Sequence, residues 1–136
     1  MRRTLRALSL LLGYPSAELK EHIGEVRDAL HGEAALPARE LRRLEPLLSS
    51  YETKDLLDLQ AAYSELFDRS RSLSLHLFEH VHGESRERGQ AMIDLGQHYS
   101  DRGFVMTLPE LPDFLPMFLE YLSCSTPADA RTWLAE

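Results

Sequence analysis

Cysteine, long apolar runs and low-complexity segments are scarce or absent in this chain of 136 residues. Cys124 is the only cysteine, so no disulfide can form within the chain, which fits a reducing compartment. No apolar stretch approaches the roughly 20 residues that a transmembrane helix needs, so we expect no stable membrane insertion. The sequence has no Gly/Ser tract, no block of like charge and no internal repeat, which argues against disorder.

Basic residues are also in the minority. Lys and Arg number 15 against 22 Asp and Glu, which gives a net charge of −7. A nucleic-acid surface needs clustered Lys and Arg, so no nucleic-acid partner is expected. The acidity suits a cationic partner instead. The length and a hydrophobic content of 43% indicate one globular domain over residues 1–136.

The N-terminal stretch MRRTLRALSLLLGYPS allows two interpretations. Paired arginines before an apolar run are typical of a twin-arginine export signal, but this run is short and no Ala-x-Ala cleavage site follows. The favoured interpretation is a first helix that ends near Gly13 and Pro15. Its core-facing residues would be Leu5, Leu8, Leu11 and Leu12.

Helical periodicity continues along nearly the whole chain, and no segment has a convincing strand pattern. The sequence therefore predicts an all-α, single-domain bundle of about six to eight helices. The predicted helices cover 2–12; 16–30, with Ser16 as N-cap and an end at His31-Gly32; a segment from 37, kinked or divided by Pro46; 53–68, with Thr53 as N-cap; 74–82; 85–102, with Ser85 as cap; a segment from 113, with Asp113 as N-cap; and a segment from 126, with Thr126 as cap. A polar connector covers 69–74.

The stretch HLFEH at 76–80 has the His-x-x-Glu-His spacing of one class of zinc peptidases. On a helix, His76 and His80 would share a face and Glu79 could act as a base. A catalytic zinc site needs a third protein ligand, and His82 would point away from the pair. A small metal-dependent hydrolase is therefore kept as the alternative function, while no metal is expected.

Other chemical motifs are weak. The chain has no Gly-rich phosphate loop, and the helix start near Gly83, Ser85, Arg86 and Arg88 is only a faint anion-binding signal. Cys124 has no histidine near it in sequence, so it is not expected to be a nucleophile. We expect no catalytic residue and no cofactor.

Four stretches resemble one protein family: LLGYP at 11–15, YSELFDR at 63–69, LFEHVHGESRERGQAMIDL at 77–95 and ELPDFLPMFLEYL at 110–122. They are similar to the NarJ-type assembly chaperones of respiratory nitrate reductase, within the TorD/DmsD/NarJ family of redox-enzyme maturation proteins. Residues 16–60 match this family only in helical pattern.

The resemblance implies an all-helical, non-enzymatic and cytoplasmic protein. Its partner would be the N-terminal segment of the nitrate reductase catalytic, molybdenum-containing subunit, held until molybdenum cofactor is inserted and membrane assembly follows. Members of the family are typically longer, so this chain is expected to lack C-terminal helices. The apolar face left exposed would promote self-association, which light scattering can check.

A basic, amphipathic target peptide would need an apolar groove with an acidic rim. The groove candidates are Tyr63, Phe67, Leu77, Phe114, Leu115, Phe118 and Tyr121, and the rim candidates are Asp68, Glu79, Glu84, Glu110, Asp113 and Glu120. Each has an ordinary alternative as a core residue, a cap or a solvated side chain. Many relatives have His where Phe114 stands, so an apolar contact is expected there.

The stretches FDR and EHVHGESR also suggest a polar network that shapes a hinge beside the groove. Its candidates are Arg69, Arg71, His80, His82 and Arg86, with Asp68 or Glu79 as acidic partners. A general helical scaffold that binds another amphipathic peptide remains a third hypothesis.

Overall fold

The computed structural model describes residues 1–69, 71–82, 86–106 and 110–135, with Arg71 described by its backbone alone. Over these ranges the chain forms nine α-helices and a 3-10 turn at Arg71–Leu73, so the predicted all-α class is confirmed. The helices are α1 Arg2–Leu12, α2 Ala17–Glu21, α3 Ile23–Glu33, α4 Ala38–Thr53, α5 Leu56–Asp68, α6 Leu77–Val81, α7 Glu87–Asp101, α8 Leu115–Ser123 and α9 Pro127–Ala135. None of them is both long and apolar enough to cross a membrane.

Helix α1 lies between two apolar cores and belongs to both. Leu5 joins the core that α1 forms with α7, α8 and α9. Ala7 and Leu11 join the second core, formed with α2 to α5. Ser9, also buried, donates a hydrogen bond from Oγ to the carbonyl oxygen of Pro116 on α8. Helix α1 therefore fixes the position of the two halves relative to each other.

The N-terminus of α1 is held by Glu33 at the end of α3. The Glu33 carboxylate accepts hydrogen bonds from the backbone N–H of Arg3 at 3.0 Å and of Thr4 at 2.9 Å. It also lies 2.6 Å from the Met1 α-amino group. Burial alone would raise the pKa of Glu33, but these partners lower it to about 2. A carboxylate at this position satisfies free N–H groups and complements the helix dipole.

Several predicted helix boundaries are confirmed. Helix α1 covers the predicted residues, and the Ser16 side chain caps α2 by accepting from Leu19 N at 3.0 Å. Thr126 caps α9 in the same way, accepting from Asp129 N at 3.2 Å. Gly103 follows α7 with φ +73°, a conformation that Gly adopts more readily than other residues. The predicted cap Ser85 lies outside the described residues.

The single helix predicted over 16–30 is wrong in two respects. It divides at His22, whose backbone leaves helical geometry (φ −104°, ψ 17°) and whose Nδ1 lies 2.9 Å from the carbonyl oxygen of Glu18. Because of this division, the described part of the chain has nine helices, whereas about six to eight were predicted. The second half also runs past Gly32 to Glu33 and ends at Ala34, which takes the left-handed conformation at φ 53°.

The boundary predicted at Thr53 is also wrong. Thr53 is the last residue of α4, where its Oγ1 donates to Ser49 O at 3.0 Å, and α5 begins after Asp55 instead. Pro46 lies inside α4 without dividing it. Because Pro46 and Arg42 are exposed, water can bond the Arg42 carbonyl oxygen that Pro46 leaves without a donor.

The helix predicted over 74–82 begins only at Leu77, because the preceding residues pair with the start of α8. His76 and Phe114 form an isolated antiparallel bridge, and Leu115 N donates to Leu75 O at 2.6 Å. Leu77 N donates to Asp113 O at 3.1 Å. We call the paired segments 74–78 and 111–115 the clasp.

Asp113 does not cap α8 as predicted. The N-cap of α8 is Phe114, while Pro116 lies in the first turn as expected. The Asp113 side chain is wholly buried, and its Oδ2 accepts from Phe78 N at 2.9 Å. Asp113 therefore caps the start of α6 across the clasp, a role that requires the tertiary pairing of the two segments.

Apolar side chains are exposed on several helices and loops, including Leu57, Val81, Ile93 and Val105. The self-association expected from the sequence stays a prediction.

Candidate functional site

A cavity of about 660 Å³ opens where α1, α5, the clasp and α8 meet. Sites that bury a small ligand usually have volumes of about 300–1,000 Å³. Its lining residues are Ser9, Leu10, Gly13, Tyr14, Ser16, Leu19, Tyr63, Phe67, Asp68, Ser74, Leu75, Glu79, Glu110, Phe114, Pro116, Met117 and Glu120. We call this space the first cavity.

Aromatic side chains form one wall of the first cavity. Tyr63 lies at the centre, 4.6 Å from Phe67 and 5.6 Å from Tyr14 between ring centroids. The Tyr63 hydroxyl donates to the carbonyl oxygen of Leu12 at 2.7 Å, which ties α5 to the end of α1. Across the cavity, the Phe114 ring packs against His76 with centroids 5.4 Å apart. The Tyr63 ring is therefore anchored by a hydrogen bond and by contacts with both neighbouring rings.

Carboxylates surround this aromatic wall. The lining residues include Asp68, Glu79, Glu110 and Glu120, and none of the described lining residues is Lys or Arg. Burial raises the pKa of Tyr63 to about 12, and the negative charges of Asp68 and Glu110 add to the effect. The cavity is thus an apolar surface in a negative electrostatic environment, which favours a cation with an apolar body.

Basic side chains contact three of these carboxylates from outside the lining. Glu110 Oε2 lies 3.3 Å from His76 Nε2, and Glu79 Oε1 lies 3.7 Å from Arg88 Nη2. Glu120 forms an ion pair with Arg6 of α1.

Seven of the thirteen predicted peptide-binding residues line the first cavity. They are Tyr63, Phe67, Asp68, Glu79, Glu110, Phe114 and Glu120. These residues come from α5, α6, the clasp, the residue just before its second segment (Glu110) and α8, which the fold brings together. Their role in binding is not tested by their position alone and stays a prediction.

Five of the other predicted residues point elsewhere. Phe118 and Tyr121 are buried in the core, and Leu77 and Leu115 pack against the same core. Asp113 is buried within the clasp. The sixth, Glu84, lies outside the described residues.

The helical period of α8 separates most of these residues. Phe114, Met117 and Glu120 are three residues apart and line the cavity together with Pro116, whereas Phe118, Leu119, Tyr121 and Leu122 lie in the core. Met117 belongs to both, since it is also buried in the core.

Several residues that line the cavity were not predicted from the sequence. Leu10 and Tyr14 were interpreted as part of the first helix and its end, although Tyr14 is 57% exposed. Leu75 and Met117 also line the cavity. The signal for Tyr14 was present in the LLGYP stretch, because a large aromatic residue just after a helix end is available for binding.

Of the residues predicted to form a polar hinge network, only some contact another helix. His82 Nδ1 lies 3.9 Å from Glu87 Oε2, and its ring packs on Phe78, so it links α6 to the start of α7. Arg69 pairs instead with Glu65 one turn back, at 3.4 Å.

The other members of that set lie apart from it. His80 Nε2 lies 2.9 Å from the carbonyl oxygen of Ser74, within the same segment. Arg86 is exposed, and the Arg71 side chain lies outside the described residues.

The geometry does not support the zinc-hydrolase alternative. His76 lies in the extended part of the clasp, before α6 begins, so it does not share a helical face with His80. The two imidazoles contact different partners, Glu110 and Ser74. Among the described residues, no group of three His, Cys, Asp or Glu side chains is arranged to hold a metal ion.

A second cavity of about 1,010 Å³ adjoins the first, between α1, α2, α3 and α8. Both cavities are lined by Leu10, Ser16, Leu19 and Glu120. The further lining of the second cavity is Arg2, Arg3, Arg6, Ala7, Glu18, His22, Glu25, Val26, Ala29, Ser123 and Cys124. The two cavities together form a longer depression along α1.

Curated relatives of the chain carry chaperone names. The chain is 51% identical over 116 residues to the protein named nitrate reductase molybdenum cofactor assembly chaperone NarJ from Escherichia coli (strain K12), an alignment that covers 85% of this chain and 49% of that protein. It is 31% identical over 132 residues to a protein from Bacillus subtilis (strain 168) named "Probable nitrate reductase molybdenum cofactor assembly chaperone NarJ", with 95% and 69% covered. The chain thus spans about half the length of the Escherichia coli relative.

A solved structure shows the same fold. The crystal structure of a candidate redox enzyme maturation protein from Archaeoglobus fulgidus superimposes with a TM-score of 0.65 at 24% sequence identity. The superposition covers 98% of this chain and 77% of that one. The model of the nitrate reductase delta subunit family matches residues 15–133, which include the α5, clasp and α8 walls of the first cavity. The chain therefore belongs to the nitrate reductase delta subunit family.

Proposed function

We propose that this protein is an assembly chaperone for a respiratory nitrate reductase and is not itself an enzyme. In this proposal it binds the N-terminal segment of the catalytic, molybdenum-containing subunit. It holds the apoenzyme in the cytoplasm until molybdenum cofactor is inserted and membrane assembly can follow. Family membership and the names of the relatives support the chaperone role.

One observation carries the assignment of the peptide site. The first cavity combines an aromatic wall of Tyr14, Tyr63 and Phe67 with carboxylates at its edge, and the described lining adds no Lys or Arg. A basic amphipathic segment matches this surface, because its apolar face can fill the cavity while its cations remain near the carboxylates.

The two parts of the surface would contribute differently to binding. Removing the apolar face of the segment from water provides most of the affinity. The carboxylates, which stay partly in contact with water, fix the orientation of the segment and accelerate association. The hydrogen bond from Tyr63 to Leu12 O pre-orders the aromatic wall, so less conformational entropy is lost on binding.

Isothermal calorimetry tests this proposal. The ligand is a peptide that copies the N-terminus of the partner catalytic subunit, and the protein is the 136-residue chain. Phe67→Ala should weaken binding because it removes part of the aromatic wall. Asp68→Lys should weaken binding about five- to tenfold at low salt, and the effect should shrink as salt is added.

Glu21→Lys is the matched control, because Glu21 is exposed on α2 and lines neither cavity. It makes the same charge change while leaving the first cavity intact, so the affinity should stay near the wild-type value. Absence of binding at tens of micromolar peptide would refute the proposed site. Equal affinities for Asp68→Lys and Glu21→Lys would refute the acidic edge alone.

A further inference from the structure

Glu120 occupies a distinctive position among the acidic residues of the first cavity. Among the residues that the structure describes, it is the one carboxylate shared by the two cavities, and it lies on α8, while Leu10 of α1 also lines both. Its side chain is 41% exposed. A segment that continues from the first cavity into the second would therefore pass this carboxylate.

In the structure, a residue of the protein itself is paired with Glu120. Arg6 of α1 places Nη1 against Glu120 Oε1, and the Arg6 side chain is 49% exposed. An ion pair with this exposure contributes little to folding, because water solvates and screens both charges. Helices α1 and α8 are also joined independently by the Ser9 hydrogen bond to Pro116 and by Leu5 in the shared core. The pair can therefore open without separating the two helices.

A released Arg6 would have other acidic neighbours. It lines the second cavity, and the opposite side of that cavity carries Glu18 and Glu25 on α2 and α3. The positive charge of Arg6 can move toward these carboxylates or into water. Opening the pair with Glu120 therefore costs little, provided that another cation replaces Arg6.

We propose that Glu120 recognises a Lys or Arg side chain of the bound segment, and that Arg6 occupies this place when no segment is bound. This inference rests on the proposed function and specifies what the site selects. A segment with a cation at the matching position exchanges one ion pair for another. A segment with a neutral or acidic residue there leaves the Arg6–Glu120 pair in place and gains nothing from Glu120.

Calorimetry with the same N-terminal peptide tests the exchange through a double-mutant cycle. Arg6→Met removes the competing cation and keeps an apolar stem, so binding should become about two- to fivefold tighter. Glu120→Gln should bind within about twofold of wild type, because the exchange it removes is nearly neutral. The double variant should bind like Glu120→Gln, because the gain from Arg6→Met requires the carboxylate.

Two control variants isolate the effect from general electrostatics. Arg3→Met removes the same charge from the same helix and cavity, while the contact of Arg3 with Glu33 through its backbone N–H remains possible. Its affinity should stay near wild type. Arg6→Lys keeps a cation opposite Glu120 and should also bind like wild type. Circular-dichroism melting of each variant confirms that it is folded.

A peptide series then locates the recognised cation. Each Lys or Arg of the peptide is replaced in turn by norleucine, and one replacement should abolish the gain seen with Arg6→Met. The inference is overturned if Arg6→Met does not tighten binding, if Arg3→Met tightens it equally, or if the gain persists with Glu120→Gln. In those cases the peptide still binds and the proposed function stands. If neither wild type nor any variant binds the peptide, the proposed function fails and the inference fails with it.

Discussion

Replacement of Glu33 by Gln should destabilise the protein and change how its stability depends on pH. The Glu33 carboxylate bonds Arg3 N and Thr4 N and pairs with the Met1 α-amino group. Gln keeps one oxygen that can accept a hydrogen bond but loses the negative charge. Helix α1 contributes to both cores, so a weaker start to this helix affects the whole fold.

The lowered pKa of Glu33 gives the size of the expected loss of stability. A fall from 4.5 to about 2, at about 1.4 kcal/mol per tenfold change in proton affinity, corresponds to about 3 kcal/mol for the ionised form. The side chain is 17% exposed, and screening by water and salt reduces the net effect. We therefore expect Glu33→Gln to lower the free energy of unfolding by about 2 kcal/mol at neutral pH.

The direction of the pH dependence follows from the lowered pKa. Because the folded state binds the Glu33 proton more weakly than the unfolded state, the stabilisation is fully present above pH 4.5 and is lost as the pH falls toward about 2. The difference in stability between wild type and Glu33→Gln should be constant near neutral pH. It should then narrow steadily in acid.

Urea unfolding followed by circular dichroism measures this difference at a series of pH values from about 7 to about 3. Glu21→Gln provides the control, because Glu21 is an exposed carboxylate on α2. Its substitution should change stability by less than about 0.5 kcal/mol at every pH. The reasoning is refuted if Glu33→Gln is no less stable than this control, or if its difference from wild type is the same at pH values above and below 4.5.

Two further predictions concern the clasp and the second cavity. Asp113→Ala should lower the free energy of unfolding in urea by about 2 kcal/mol, because the Phe78 N–H loses its acceptor in a partly buried site. Asp113→Asn should lower the free energy of unfolding by less, because its amide oxygen can still accept the hydrogen bond from Phe78 N. Equal losses of stability for the two variants would contradict the capping role of Asp113. Cys124 is exposed in the second cavity, so a bound segment that crosses Glu120 should slow its alkylation by iodoacetamide. If the alkylation rate of Cys124 is unchanged with saturating peptide, the bound segment stays within the first cavity. The Cys124→Ser variant measures the background reaction with iodoacetamide.

The sequence predicts the helices well where local signals decide. Ser16 and Thr126 combine a capping side chain with an amphipathic run, and both caps form. The helix boundaries that were predicted wrongly lie where a contact with a distant residue, or a weak local preference, determines the backbone conformation. His22 interrupts a continuous amphipathic pattern, and α3 extends to Glu33, whose carboxylate contacts the distant N-terminus of α1.

The candidate site was predictable in kind but not in detail. Aromatic and acidic residues of α5 and α8 could be selected from the sequence, because their stretches resemble the NarJ-type assembly chaperones. Which face of α8 lines the cavity depends on how this helix packs on α1. Phe118 and Met117 are both apolar core residues, and only the packing makes Met117 line the cavity as well while Phe118 does not. The extended conformation of His76 likewise depends on its pairing with Phe114.

The clasp has a consequence for how the site could change in evolution. Backbone groups make its main attachments, from Leu115 N to Leu75 O and from Leu77 N to Asp113 O. Such bonds do not depend on which side chain Leu75 presents to the cavity. Mutations at Leu75 could therefore change the shape of the cavity while the paired backbone stays in place. Phe114 has less freedom, because its ring also packs against the core. Under the proposed function, Leu75 is then the position of the clasp at which the preferred segment could change with little loss of stability.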